Sequence, residues 1–219
     1  MAPIYQIETS VEKAKVLREL GFNLTDLNKS NNNFIYVPSI NLYVAKERTL
    51  QGANWFEAHK QLQGNGERML TVPEFVEFLK YVRENNSDIY EDITAVRSPR
   101  RAEWLDADFK VKKRNLHINY NHVLDSNGNL IPQSSEPLDR NTLMEDRKIS
   151  LESWLSNPTE QGFPTKKVAS GNFYYLYPRS DNNSVARFVA GDDRSGLGCS
   201  WGPSGWDADL GVRACRVRG

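Results

Sequence analysis

The stretch from Trp55 to Asn85 constrains the fold more than any other part of the chain, because it spells out two helices and the turn between them. In "NWFEAHKQLQ" the residues Trp55, Ala58, His59 and Leu62 fall on one helical face, and Gly64, Asn65 and Gly66 follow as a stop. "TVPEFVEFLKYVREN" then opens with Thr71 and Glu74 at capping-box spacing and Pro73 in the first turn. It runs Phe75, Phe78, Leu79 and Val82 along one stripe. Two amphipathic helices must bury their stripes against another layer.

Strand patterns supply that layer. "FIYVPSINLYVAKERTL" is β-branched and aromatic, with Pro38 and Ser39 in its middle, and reads as two strands meeting at a turn or one strand with a bulge. "LHINYNHVL" alternates and runs into turn chemistry at Asp125 to Gly128. Further on come a short helix over 149–156, an aromatic strand in "FYYLYP", and strands in "SVARFVA" and "LGVRACRV", the last read as one final strand. Residues 191–209, between those two, read as turns throughout. Upstream, Val11, Ala14, Leu17 and Leu20 take helical spacing between Ser10 and Gly21. No repeat divides the chain. The expectation is a helical extension over 1–33 and one α+β domain over 34–219 with a mid-chain insertion at about 100–165.

Composition removes several function classes. Lys+Arg and Asp+Glu stand at 28 each in 219 residues, so no global positive field attracts nucleic acid. No run approaches the roughly 18 apolar residues of a bilayer span, and the first residues lack a Sec-type pattern. The expectation is a soluble chain made in the cytoplasm, without membrane insertion. Cys199 and Cys215 lack C-x-x-C spacing; they read as free buried thiols or as a disulfide.

Few residues suggest chemistry. His59 lies on a helix core face as a packing residue, and His117 and His122, five apart in an alternating segment, face opposite sides of a regular strand. No metal ligand set and no cofactor is therefore expected. No histidine lies near either cysteine in sequence to activate a nucleophile. Asp192, Asp193, Asp207 and Asp209 read either as Ca²⁺ ligands or as solvated turn carboxylates. Trp201 and Trp206 sit among Gly, Ser and Asp, the mixture of a binding surface, unless they turn inward to cap the core.

"NWFEAHKQLQGNGERMLTVPEFVEFL" resembles the two-helix signature of the C-type lectin fold in its formylglycine-generating-enzyme-like branch, and "DADLGVRACRV" is similar to that branch's last strand, which carries a Gly-aliphatic/aromatic-Arg motif. Between them, "SDNNSVARFVAGDDRSGLGCSWGPSGWDADLGVRACR" resembles the variable region, here about 189–209, of archaeal and viral proteins diversified by retroelements. The resemblance implies a non-enzymatic, hypervariable binding protein on a C-type lectin fold, with two helices packed on antiparallel sheets. Its ligand would be a protein or cell-surface molecule that changes between variants; virion or cell-surface association is open, and the oligomeric state is not set by the sequence, with a monomer favoured. The implied variable positions are Val189, Gly191, Asp193, Arg194, Gly198, Ser200, Gly202, Ser204, Gly205, Trp206, Asp207 and Asp209. Leu197, Trp201, Pro203, Ala208 and Leu210 would be fixed, and Phe188, Leu197, Leu210 and Val212 would anchor inward. Trp206 departs from the pattern, since an Asn codon changed only at its adenines does not give Trp. The enzymes of this branch use a closely spaced cysteine pair that Cys199 and Cys215 do not reproduce, and the Ca²⁺-lectin motifs are absent. An enzyme or a Ca²⁺-dependent lectin with a fixed site is the alternative.

Overall fold

A computed structural model describes residues 33–217; the helix expected over 10–20 lies outside the described residues. Helix α1 (Trp55–Gly64) starts where the Asn54 side chain accepts the Glu57 N–H at 2.9 Å and Glu57 accepts the Asn54 N–H at 3.1 Å. It buries Trp55, Ala58, His59 and Leu62, the face expected from their spacing. The helix stops at Asn65, and Gly66 turns the chain at φ +71°, which an L side chain rarely adopts. Helix α2 (Val72–Asn85) starts with the Thr71 N–H donated to Glu74 at 2.9 Å and buries the expected stripe together with Val72 and Val76. Helix α3 (Ser87–Thr94), capped by the Asn86 side chain, has no counterpart in the sequence reading. The short helix α4 (Leu151–Ser156) falls inside the expected 149–156.

The strands are β1 (Phe34–Val37), β2 (Leu42–Ala45), β3 (Arg68–Met69), β4 (Arg101–Lys112), β5 (Asn115–Leu124) and β6 (Leu130–Pro137). They continue as β7 (Arg147–Ile149), β8 (Phe173–Leu176), β9 (Ser184–Ala190), β10 (Ser195–Trp201), β11 (Leu210–Val212) and β12 (Ala214–Val217). One sheet has the order β1-β2-β12-β3; the other, eight-stranded, runs β6-β5-β4-β9-β10-β8-β7, with β11 added in parallel to β4. Most pairs are antiparallel, so the fold is mixed α+β. Residues from Tyr36 onward form one compact unit. Within it, the segment 100–165 contributes β4, which pairs with β9 on one side and with β5 and β11 on the other.

The core lies where α2 and α4 cover the inner face of the larger sheet. Trp154 stacks on Phe173 at 5.4 Å, Phe173 meets Phe188 at 5.4 Å, and Phe188 meets Phe75 of α2 at 5.1 Å. Burying each such ring stabilises by about 1.5–3 kcal/mol, which makes this aromatic row a main determinant of how β8 and β9 sit.

Two expectations change here. Residues 191–209 are not turns throughout: they contain β10, hydrogen-bonded on both sides, with Leu197 and Cys199 fully buried. The final strand is two strands in different sheets, β11 and β12, because Arg213 interrupts it. The buried Arg213 guanidinium donates to Glu103 of β4 at 2.9 Å and to the carbonyls of Ala45 (2.8 Å) and Lys46. The Glu103 carboxylate also pairs with Arg101 at 3.0 Å. Burial pushes the Glu103 carboxyl up, but the charges of Arg213 and Arg101 outweigh it and hold the group below its ordinary value. This ion-paired junction fixes where the loop after β10 re-enters the body. Gly211 contributes a close approach, since a Cβ there would meet the Thr49 carbonyl oxygen at 2.7 Å.

Candidate functional site

Alternation along three neighbouring strands builds the site. Phe173 and Tyr175 of β8, Phe188 of β9, and Leu197 and Cys199 of β10 point into the core, so their sequence neighbours point outward. Register then aligns the outward residues in rows: Tyr174, Gly196 and Val189 in one, Leu176, Gly198 and Arg187 in the next. Because the middle strand carries glycine in both rows, the flanking side chains stand as walls above an open floor. The result is a groove of about 320 Å³. Arg100, Asp192, Asp193, Arg194, Ser200 and Trp201 complete its lining.

Its electrostatics are mixed but not neutral at every point. The Arg187 guanidinium lies 3.5 Å over the Trp201 ring, and its Nη1 is buried without a hydrogen-bond partner among the described residues, as is the Nε of Arg100. Burial, followed by repulsion from Arg100, lowers the Arg187 pKa to about 10. Arg100 itself pairs with Asp207 at 2.6 Å, while the Arg194 guanidinium stands 5.1 Å over Tyr174. The groove therefore offers aromatic faces and an unused cationic donor to a ligand that brings an acceptor.

Of the candidate variable positions, Val189, Gly191, Asp193, Arg194, Gly198 and Ser200 line this groove. Gly202, Ser204, Gly205, Trp206, Asp207 and Asp209 lie in the adjoining loop, where Trp206 is 72% exposed. The loop is pinned at fixed points. The Pro203 carbonyl accepts the Trp55 N–H at 3.1 Å, and the Asp209 carbonyl accepts from the Ala102 N–H at 2.9 Å and from Arg48 at 2.5 Å. Among the residues expected to be fixed, Leu197, Pro203 and Leu210 are buried, Trp201 is half-buried at the groove edge and Ala208 is exposed. The expected anchors Phe188, Leu197, Leu210 and Val212 are all buried. Tyr174, Leu176, Arg187 and Arg100 belong to the groove yet carry no sequence signal of it; the register of β8 and β9 against β10 places them.

Room for a side chain divides the glycines. Among the described residues, a Cβ at Gly202 would meet nothing within 4 Å, and at Gly191 and Gly198 the nearest atoms stand at 3.5 and 3.9 Å. Gly205 differs, since a Cβ there would lie 2.5 Å from the Trp201 Nε1. Gly196, which is not among the candidate positions, has the Tyr174 carbonyl oxygen at 2.5 Å from such a Cβ.

Other candidate chemistries fare differently. Asp192, Asp193, Asp207 and Asp209 do not gather into a ligand set among the described residues. Asp207 is engaged by Arg100 and by the Asp209 N–H at 3.2 Å. Cys199 and Cys215 are free, buried and in different sheets, and burial raises both thiol pKa values. The structure does gather His59, Asp106 and His122 beneath α1. Burial lowers the His59 pKa to about 4, whereas at His122 the Asp106 and Asp108 carboxylates overcome burial and raise it to about 9.

Fold and site together define an α+β domain with an outward groove over three strands and an adjoining loop. Comparison of the chain with family models, curated proteins and solved structures finds no match.

Proposed function

We propose that the chain is a non-enzymatic ligand-binding protein with a C-type lectin fold, whose groove over β8–β10 and following loop form a face diversified by a retroelement. The observation that carries this reading is the separation of replaceable from irreplaceable positions along one strand. Gly198 and Ser200 line the groove, with room for a side chain at Gly198, while the alternating Leu197 and Cys199 are fully buried. A surface can vary only where its side chains are not part of the core: Asp193, Arg194, Ser204 and Trp206 are exposed and Gly191, Gly198 and Gly202 have room for a side chain, whereas Gly205 and the ion-paired Asp207 do not meet the condition. The fold reading draws support from α1 and α2 standing on mostly antiparallel sheets, in the order that the sequence resemblance implies. The buried thiols, with their raised pKa values, have the opposite character to an activated nucleophile.

On this reading the ligand is a protein or cell-surface molecule that differs between variants. It is gripped by aromatic and polar side chains on a rigid strand platform, with Arg187 as a constant donor beneath them. A display library tests this by varying Gly198, Ser200, Gly202, Ser204, Trp206 and Asp209 together. Most clones are expected to fold, and binders to an arbitrary protein target to emerge. The proposal is overturned if this library folds no more often than one built at Phe188, Leu197, Leu210 and Val212.

A further inference from the structure

A second cluster, none of whose members lines the groove, carries an inference independent of the binding face. His59 of α1, Asp106 of β4 and His122 of β5 are each buried, and their ligand-type atoms all lie within 4.8 Å of one another. Asp106 Oδ1 stands 2.5 Å from His122 Nδ1 and 3.5 Å from His59 Nε2. Among the described residues, both ring nitrogens of the wholly buried His59 lack a hydrogen-bond partner. A fold does not strip water from an imidazole and leave it idle without reason. The Asp106–His122 hydrogen bond accounts for two members of the cluster and leaves His59 unexplained.

The surroundings are those of a ligand set. The other carboxylate oxygen, Asp106 Oδ2, accepts the His122 backbone N–H at 3.1 Å and so fixes the carboxylate. Asp108 faces the far nitrogen, Nε2 of His122, at 3.6 Å, so the ring keeps a proton there when Nδ1 gives up its own to a cation. Trp55 walls both imidazoles edge-on at 4.3 and 4.9 Å, and its own Nε1–H is tied to the Leu105 carbonyl at 2.9 Å. Gln63 of α1 bonds the His122 carbonyl at 3.0 Å and the Leu124 N–H at 2.8 Å, locking β5 to the helix that carries His59. A hollow of about 260 Å³, lined by His122, Asp108 and Trp55, opens against the His122 side of the cluster.

We propose that His59 Nε2, Asp106 Oδ1 and His122 Nδ1 form a site for a divalent transition-metal cation of the zinc class, with water from the hollow as fourth ligand. Two imidazoles and one carboxylate suit zinc and its neighbours, whereas Ca²⁺ demands six to eight oxygens. Bonds of about 2.0–2.1 Å to a tetrahedral ion put ligand atoms roughly 3.3 Å apart. The 3.5 Å between His59 and Asp106 is already near that value. The 2.5 Å hydrogen bond between Asp106 and His122 opens as the cation takes the place of its proton, which is released to solvent.

The test uses the untagged full chain, stripped with a chelator, dialysed, and titrated with zinc chloride and with cobalt chloride. One equivalent of either ion is expected, with the visible absorption of four-coordinate Co²⁺ and a rise in Tm of roughly 5–10 °C at a hundredfold excess over Kd. His59→Phe, which fills the same apolar space, keeps the fold and loses the bound equivalent. His117→Gln, outside the cluster, binds as the parent does. The proposal is overturned if the stripped chain takes up neither ion, or if His59→Phe binds as well as the parent.

Discussion

Replacing Gly198 and Gly196 separately by alanine puts the division between variable and fixed positions to a quantitative test. At Gly198 the new Cβ finds its nearest neighbours, Arg187 Cγ and Leu176 Cδ1, at 3.9 Å, an ordinary contact. Nothing in the folded state opposes the change, and removing glycine's freedom from the unfolded chain gains about 0.5–1 kcal/mol. At Gly196 the Cβ would sit 2.5 Å from the Tyr174 carbonyl oxygen, with the Tyr174 carbonyl carbon at 3.2 Å. Those are backbone atoms of β8, hydrogen-bonded to β7 on the far side, so no side chain can rotate away to make room. The strand itself must shift by nearly an ångström, and overpacking of that kind costs about 1–3 kcal/mol. For a domain of this size each kcal/mol moves Tm by about 2–4 °C, so Gly198→Ala is expected to hold or raise Tm by a few degrees and Gly196→Ala to lower it by roughly 2–12 °C. Thermal unfolding followed by circular dichroism reads both. Equal losses at the two positions, or a neutral Gly196→Ala, would refute the reasoning.

Further outcomes follow from the junction and the loop. Arg213→Met leaves Glu103 buried with Arg101 as its remaining ion-pair partner, and is expected to cost about 3–5 kcal/mol in chemical denaturation. The double variant Glu103→Leu with Arg213→Met should regain more than half of that loss, and a double variant no better than the single would contradict the ion-pair account. The Glu103 pKa lies below its ordinary 4.5 in the folded chain, so its contribution is fully present above that value and is lost as pH falls through the folded pKa. The stability gap between the parent and Glu103→Gln should therefore be constant near neutrality and narrow below pH 4.5; a gap that widens in acid would reverse the assigned sign. Trp206→Ala, at a side chain 72% exposed, should change stability by no more than about 0.5 kcal/mol while weakening a ligand selected on this face by about 2 kcal/mol. A large loss of stability with binding intact would place Trp206 in the scaffold instead.

What the sequence disclosed followed the reach of its signals. Helices α1 and α2 were legible because caps, glycine stops and apolar spacing are local, and the buried residues of α1 are the ones that its periodicity selects. The hairpin turn at Asp125 to Gly128 was legible for the same reason. Strand β10 was not, because Gly196 and Gly198 have poor strand propensity; the strand exists because β8 and β9 pair with it on both sides. The break at Arg213 was hidden because a buried arginine is set by Glu103 and two carbonyls far away in sequence. The turn between β4 and β5 uses Lys113 and Arg114 at φ +50° and +70°, residues that give no turn signal. At the candidate site the sequence indicated the β10 and loop positions, whereas Arg187 and Tyr174 came into view through register alone. His59, Asp106 and His122 come from three separate elements, which no spacing rule connects.

On the proposed function, the face over β9, β10 and the following loop is replaceable while the strands beneath it are constant. Sequencing many independently sampled copies of the gene, together with the flanking DNA, tests it most directly. The expected result is substitution concentrated at the codons of Val189, Gly191, Asp193, Arg194, Gly198, Ser200 and the candidate positions of the loop 202–209. Phe188, Leu197, Leu210 and Arg213 should stay constant, and a near-copy of the 3′ end should lie beside a reverse-transcriptase gene. Copies that are invariant across this face, or that vary evenly along the chain with no such repeat, would rule out a diversified binding surface.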